Sequence, residues 1–135
     1  MHYLVPLIWM AGAIQLFDAV ANLAVPGKIR SRENLIRVSP IVRQVFWSHW
    51  FYIMFVLVMF SMMCFFFATD LAGGSSIGRF LSAALAVFWV LRVPIQLYWF
   101  DAEFRRQNRA ADVCFVVSSM YLAVIFVFAS LGVGR

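Results

Sequence analysis

The sequence predicts an all-α membrane protein folded as a bundle of four transmembrane helices. Only 13% of its 135 residues are charged and 64% are hydrophobic, whereas soluble domains average about 25% charged residues. Hydrophobic residues dominate four stretches, at about 3–25, 48–69, 78–100 and 112–131. Each stretch is long enough to cross a hydrocarbon core of about 30 Å as a helix. Because lipid offers the backbone no hydrogen-bond partners, each is expected to be helical, within one domain spanning residues 1–135.

The placement of basic residues predicts the orientation of the helices. Five of the eleven lie in the first connection, residues 26–47, and three more lie between the third and fourth stretches. Connections rich in lysine and arginine face the cytoplasm, so we expect loops 1 and 3 inside and both termini outside. For a bacterial protein this means the cytoplasmic (inner) membrane.

The basic residues of the first connection alternate with aliphatic ones, a pattern typical of a segment lying at the lipid headgroups. We expect five residues to contact anionic headgroups: Lys28, Arg30, Arg32, Arg37 and Arg43. The lipid bilayer, rather than nucleic acid, is therefore the expected partner of this segment.

Helix-boundary residues and small residues define the second and third helices. Ser39–Pro40 is a typical helix start, Gly73–Gly74 can end the second helix, and Ser75 or Ser76 can cap the third. The third helix then carries small residues at four-residue spacing, which allows close approach of another helix. This predicted packing face comprises Gly78, Ser82 and Ala86. It could pack within the chain or form a homo-oligomer contact.

Ionisable side chains lie within two apolar stretches. Gln15, Asp18 and Asn22 share one stripe of the first helix, and Arg92 lies at a similar distance from the same end of the third helix. Because these two helices run parallel, Asp18 and Arg92 are expected at matching depth. Ionisable groups in hydrocarbon are rare and indicate function or pairing, so the sequence predicts an Asp18–Arg92 ion pair.

Further polar residues extend this prediction to a polar cluster in the cytoplasmic half of the bundle. The expected additional members are His49, Gln96 and Ser118. Pro94, two residues after Arg92, is expected to kink the third helix. Three interpretations remain open: a structural pair, an Arg92 side chain that snorkels to the surface, or a site for a ligand or proton.

Cofactor and metal ligands are sparse. His49 could ligate a haem or pigment axially, but a lone histidine near a span is more typical of the membrane interface, so no cofactor and no metal site are expected. The two cysteines, Cys64 and Cys114, fall at opposite ends of the predicted bundle, too far apart for a disulfide. Both are expected to be buried as small apolar residues.

The pattern favours three functional hypotheses. The first is a binding or accessory subunit of a larger membrane complex, with a protein partner or a second copy of itself. The second is a small proton-coupled transporter that uses Asp18. The third is a membrane enzyme or binding protein for a lipophilic molecule whose polar head lies near Arg92. No catalytic residues are predicted, because no nucleophile lies beside a base within the apolar stretches.

Overall fold

A computed structural model describes residues 3–133; most of these residues are helical, and none lies in a strand. Residues 1, 2, 134 and 135, and with them the two chain ends whose orientation was predicted, lie outside the described part. Four helices are long and apolar enough to cross a membrane, which confirms the predicted four-helix membrane fold. They are α1 (Leu4–Asn22), α4 (Pro40–Phe66), α6 (Ser76–Pro94), which continues as a π-helical segment (Ile95–Trp99), and α8 (Arg109–Leu131).

Four short helices lie between the long ones. They are α2 (Val25–Lys28), α3 (Ser31–Leu35), α5 (Ala68–Gly73) and α7 (Ala102–Gln107). The predicted loop 26–47 is therefore mostly helical, and its last residues belong to α4. The end of the bundle that carries α2, α3 and α7 also carries most of the basic residues, and we refer to it as the basic end.

The predicted helix boundaries hold in part. The second long helix begins at Pro40, after an extended Ser39, although the Ser39 hydroxyl makes no capping hydrogen bond. It ends earlier than expected, at Phe66, and Gly74 instead closes α5 with a left-handed backbone (φ 79°). Ser75 caps α6 as predicted, because its hydroxyl accepts a 3.0 Å hydrogen bond from the Gly78 amide.

The long helices pack as two antiparallel hairpins. In one, α1 packs along α4, and in the other α6 packs along α8, which is the most extensive helix contact of the described chain. The hairpins join where α1 meets α8 and where α5 contacts both α1 and α6. Between α4 and α6 the notable contact is aromatic, with the rings of Phe60 and Phe88 edge to face at 5.1 Å. As a result, α1 lies between α4 and α8, whereas α4 has one extensive helix neighbour.

The small-residue face of α6 packs within the chain. Gly78, Ser82 and Ala86 are all buried, and the Ser82 hydroxyl donates a 3.2 Å hydrogen bond to the Leu71 carbonyl of α5. A Cβ atom at position 78 would overlap the carbonyl oxygen of Asp70. Within the described chain, α5 therefore covers this face at Gly78 and Ser82.

Pro94 ends the α-helical part of α6, but the chain continues helically beyond it as the π-helical segment Ile95–Trp99. A π-helical turn lengthens the hydrogen-bonded loop and typically occurs where the regular ladder is interrupted. The Leu97 carbonyl within this segment accepts a 2.7 Å hydrogen bond from the Arg105 guanidinium. The irregular turn is thus stabilised by a side chain from α7.

Candidate functional site

Gln15 is the polar centre of the bundle, with none of its surface exposed. Its amide nitrogen donates to the Ala11 carbonyl and to Cys64 Sγ of α4, both at 3.2 Å. Its amide oxygen accepts a 3.3 Å hydrogen bond from the Trp89 indole of α6. One side chain therefore links three of the four long helices, and its hydrogen-bonding capacity is largely used by the protein itself.

Asp18, one helical turn further along α1, is 2% exposed. The Ser118 hydroxyl of α8 lies 3.3 Å from one carboxylate oxygen and 3.2 Å from the other, and it also lies 3.1 Å from the Phe115 carbonyl. An ionised carboxylate has about four acceptor positions. Among the described residues, Ser118 is the one side chain that donates to Asp18, so this buried carboxyl keeps acceptor positions unused.

The predicted ion pair between Asp18 and Arg92 is not formed. No guanidinium nitrogen of Arg92 lies within 4.0 Å of an Asp18 carboxylate oxygen. The guanidinium carbon instead lies 5.2 Å from the centre of the Phe100 ring. Phe100 follows the π-helical segment, towards the basic end, which is the direction expected for a snorkelling side chain. The two charges still act on each other at longer range.

Asn22 and His49 were both expected in the polar cluster, and the structure separates them. The Asn22 side-chain amide donates a 2.8 Å hydrogen bond to the Asp18 backbone carbonyl. The Asn22 backbone carbonyl accepts a 3.1 Å hydrogen bond from the Trp50 indole of α4. His49 is exposed, and its Nδ1 lies 2.8 Å from the Val45 carbonyl of its own helix. His49 therefore lies apart from Asp18, and its membership of the polar cluster is not supported.

Gln96 belongs to a separate polar group, which we call the end cluster and define as Gln96, Arg105 and Asp112. Asp112 accepts a 2.8 Å hydrogen bond from the Gln96 amide and two from the Arg105 guanidinium, at 2.9 and 3.1 Å. The bonded carboxylate raises the pKa of Arg105. The expected single polar cluster is thus two groups, one in the interior and one at the basic end.

Sequence reasoning missed the pairing of Arg105 with Asp112. A carboxylate in the first turn of an apolar helix, seven residues after an arginine, is the signal that could have revealed a pair bridging α7 and α8.

The basic residues of the first connection are placed as a lipid-facing segment requires. Lys28, Arg30, Arg32 and Arg37 are exposed and Arg43 is partly exposed. Arg30 has a left-handed backbone (φ 50°), and its side chain makes an exposed 3.8 Å contact with Glu33. The charges of these basic residues are accessible to lipid headgroups, and contact with those headgroups stays a prediction.

An apolar groove of about 420 Å³ runs between α1 and α8. We call it the α1–α8 groove; among the residues that line it are Met10, Ile14, Phe17, Val117, Ser118 and Tyr121. Ser118 thus belongs both to the groove and to the hydrogen bond with Asp18. Cys114 also lines the groove. Both cysteines were expected to be buried; Cys64 is fully buried, but Cys114 is exposed.

Comparison with known proteins leaves the chain to be interpreted from its own geometry. No protein family matches it, and no curated protein or solved structure matches it either. Within residues 3–133, no three histidine, cysteine, aspartate or glutamate side chains lie together as metal ligands would.

Proposed function

We propose that the protein is a non-catalytic membrane binding subunit that holds a lipophilic molecule in the α1–α8 groove. The observation that carries this proposal is the double position of Ser118, which lines the groove and donates to the buried Asp18. The groove wall is apolar apart from Ser118, the Cys114 thiol and the hydroxyl of Tyr121, which donates to the Leu7 carbonyl. This combination suits a long apolar molecule with one polar group.

The chemistry of Asp18 indicates which polar group the molecule carries. The one hydrogen of the Ser118 hydroxyl is shared among three acceptors, the two Asp18 carboxylate oxygens and the Phe115 carbonyl, all at distances above 3 Å, which makes its bond to Asp18 weak. A buried carboxyl with unused acceptor positions gains from any further donor, and gains more in hydrocarbon than in water. The ligand is therefore expected to bring a hydroxyl or an amine, with the positive charge of Arg92 nearby rather than in contact.

A membrane enzyme and a proton-coupled transporter fit this geometry less well. A hydrolytic enzyme needs an activated nucleophile in contact with a base, whereas the Ser118 hydroxyl only donates a weak hydrogen bond to the Asp18 carboxylate. A proton-coupled transporter needs Asp18 to exchange protons with water, and the groove beside it opens sideways between two apolar helices. The sequence also allowed His49 to ligate a haem or a pigment. A visible absorption spectrum of the purified protein tests this alternative.

Alkylation of Cys114 offers a direct test, because this thiol lines the groove. The protein in lipid nanodiscs is treated with N-ethylmaleimide in the presence of dodecylamine, dodecanol or dodecane, three probes with the same chain. We expect dodecylamine and dodecanol to slow alkylation of Cys114, and dodecane to have little effect. The fully buried Cys64 serves as an internal control for unfolding, because it should stay unmodified throughout.

Variants at Asp18 distinguish binding from nonspecific partitioning of the probes. Asp18→Leu should remove the protection given by dodecylamine, whereas Asp70→Asn, at an exposed carboxylate near the opposite end of the bundle, should leave it intact. Equal protection by all three chains, or protection that persists in Asp18→Leu with Cys64 still unreactive, would refute the proposal.

A second candidate function, an accessory subunit of a larger membrane complex, is favoured by the packing of α4. Only 17% of its membrane-crossing window is buried, against 28% or more in the other three helices. Its exposed face is rich in aromatic and sulfur-containing side chains, including Phe51, Tyr52, Phe55, Met59 and Met62. Such a face suits the transmembrane helix of a partner protein, because association in lipid depends on packing rather than on hydrophobicity.

Site-specific photo-crosslinking in native membranes tests this candidate. A crosslinker at Phe55 should yield one discrete protein adduct, whereas a crosslinker at Val87, equally exposed but on α6, should yield lipid adducts alone. The same adducts from both positions would count against a partner on α4. Reporter fusions at each chain end test the associated proposal that the termini face outward from a bacterial cytoplasmic membrane.

A further inference from the structure

A second hollow lies at the basic end, on the side of α8 that faces α6. Its volume is about 200 Å³, and we call it the α8 hollow. Its polar wall consists of Arg105, Arg109 and Asp112, and its apolar wall includes Val113 and Val116. Charge and hydrocarbon therefore meet in one small surface depression.

The charges of the α8 hollow leave one cation unmatched. Both carboxylate oxygens of Asp112 are engaged, because they accept two hydrogen bonds from Arg105 and one from Gln96. Arg109 is exposed, and within residues 3–133 its side chain has no hydrogen-bond or ion-pair partner. The hollow therefore carries a net positive charge, and Arg109 is the group that supplies it.

The residues near the hollow are typical of a segment at the level of lipid headgroups. Tyr98 and Trp99, close to it in the chain, are 86% and 85% exposed, and exposed aromatic residues of this kind concentrate at membrane–water interfaces. From Arg109 the helix continues into the apolar residues of a membrane-crossing span. The hollow thus has a charged side towards the interface and a valine side towards the hydrocarbon.

We propose that the α8 hollow binds the headgroup phosphate of an anionic phospholipid, with Arg109 as its principal ligand. Arginine matches phosphate oxygens in fork geometry, and the valines receive the upper part of the acyl chains, which a free phosphate does not possess. A zwitterionic headgroup is a poorer match, because its own cation would lie near Arg109. The α8 hollow adjoins the α1–α8 groove at Val117, which lines both, but its charged wall lies outside the groove. The proposal does not depend on the function proposed above.

Native mass spectrometry of the detergent-solubilised full chain measures this binding. The probes are dioleoyl phosphatidylglycerol, dioleoyl phosphatidylcholine and inorganic phosphate, tested on the wild-type chain, Arg109→Gln and Arg37→Gln. Arg37→Gln removes the same charge from the basic end, but at an exposed residue of the first connection. An arginine near anionic lipid contributes about a fivefold change in affinity, so Arg109→Gln should weaken phosphatidylglycerol binding about fivefold, and Arg37→Gln should change it much less.

The remaining outcomes also decide the proposal. Phosphatidylcholine should bind more weakly than phosphatidylglycerol, and inorganic phosphate in excess should fail to displace the lipid. An equal loss in both arginine variants would mean diffuse attraction to the basic end and would overturn the site. Equal binding of the two lipids, or unchanged binding by a folded Arg109→Gln protein, would overturn it as well. Because Arg109 makes no side-chain bond in the described structure, this variant should fold normally, which thermal unfolding verifies.

Discussion

The indole nitrogen of Trp89 donates a 3.3 Å hydrogen bond to the amide oxygen of Gln15, which ties α6 to α1 in the bundle interior. Trp89 precedes Arg92 by three residues, just as Gln15 precedes Asp18. The bond between the first two residues therefore places Asp18 and Arg92 at matching depth on parallel helices, as their positions in the sequence predicted. The guanidinium nevertheless turns towards Phe100 and the basic end, where a cation meets headgroups and water.

The Gln15–Trp89 hydrogen bond should be measurable as a coupling energy. Hydrogen bonds between membrane helices contribute about 0.6 kcal/mol on average. We expect Trp89→Phe to destabilise the wild-type chain by about that much more than it destabilises a Gln15→Leu chain. The measurement is the free energy of unfolding in mixed micelles for the four members of the cycle.

The matched control for this cycle is Trp99→Phe, which alters a tryptophan that is 85% exposed. Trp99→Phe should change the free energy of unfolding by the same amount in the wild-type chain and in the Gln15→Leu chain. Strict additivity of Gln15→Leu and Trp89→Phe would contradict a stabilising bond between the two side chains.

Asp18 should couple more strongly to Ser118 than to Arg92. The Ser118 hydroxyl contacts the carboxylate directly, whereas Arg92 acts on it only at longer range, so we expect a coupling of about 1 kcal/mol for Ser118→Ala with Asp18→Asn. The coupling of Arg92→Gln with Asp18→Asn should be clearly smaller. Unfolding free energies of both double-mutant cycles provide the comparison, and the reverse order would restore the ion pair that the sequence predicted.

Gly78 should be intolerant of a side chain. A Cβ atom at this position would overlap the Asp70 backbone carbonyl, so α5 and α6 must move apart in Gly78→Ala. We expect a loss of about 1–3 kcal/mol in unfolding free energy, the usual range for overpacking. Gly27→Ala is the control, because a Cβ atom at position 27 meets nothing within 4 Å. Gly27→Ala should be neutral or stabilising, by at most about 1 kcal/mol; similar losses in both variants would contradict this explanation.

Asp112 should hold the basic end of the third and fourth long helices together. Asp112→Asn removes the charge that binds Arg105 and so loosens the bond from Arg105 to the Leu97 carbonyl. We expect faster amide hydrogen exchange over residues 95–112, with the centre of α8 unchanged. Glu103→Gln, which breaks a largely exposed ion pair with Arg106, should leave exchange nearly unchanged, since exposed pairs contribute little. Equal effects of the two variants would mean that the end cluster has no special structural role.

Local physical chemistry made much of the fold predictable from the sequence. Hydropathy identified four spans, because an apolar stretch in lipid has few alternatives to a helix. Proline at a first helical position identified Pro40, and serine at a cap narrowed the start of α6 to Ser75 or Ser76, because these effects depend on a few neighbouring residues. The small face of α6 was predictable for the same reason, although its cover, α5, was not.

What the sequence alone determined about this protein is thus its four long helices, the relative depths of residues along them and their polar residues. The tertiary structure decided which side chains meet: Trp89 with Gln15, Ser118 with Asp18, and Arg105 with Asp112. Depth follows from counting residues along a helix of known rise. Contact depends in addition on the rotation of each helix about its axis, on the lateral order of the helices and on side-chain direction, and these are set by packing across the whole bundle.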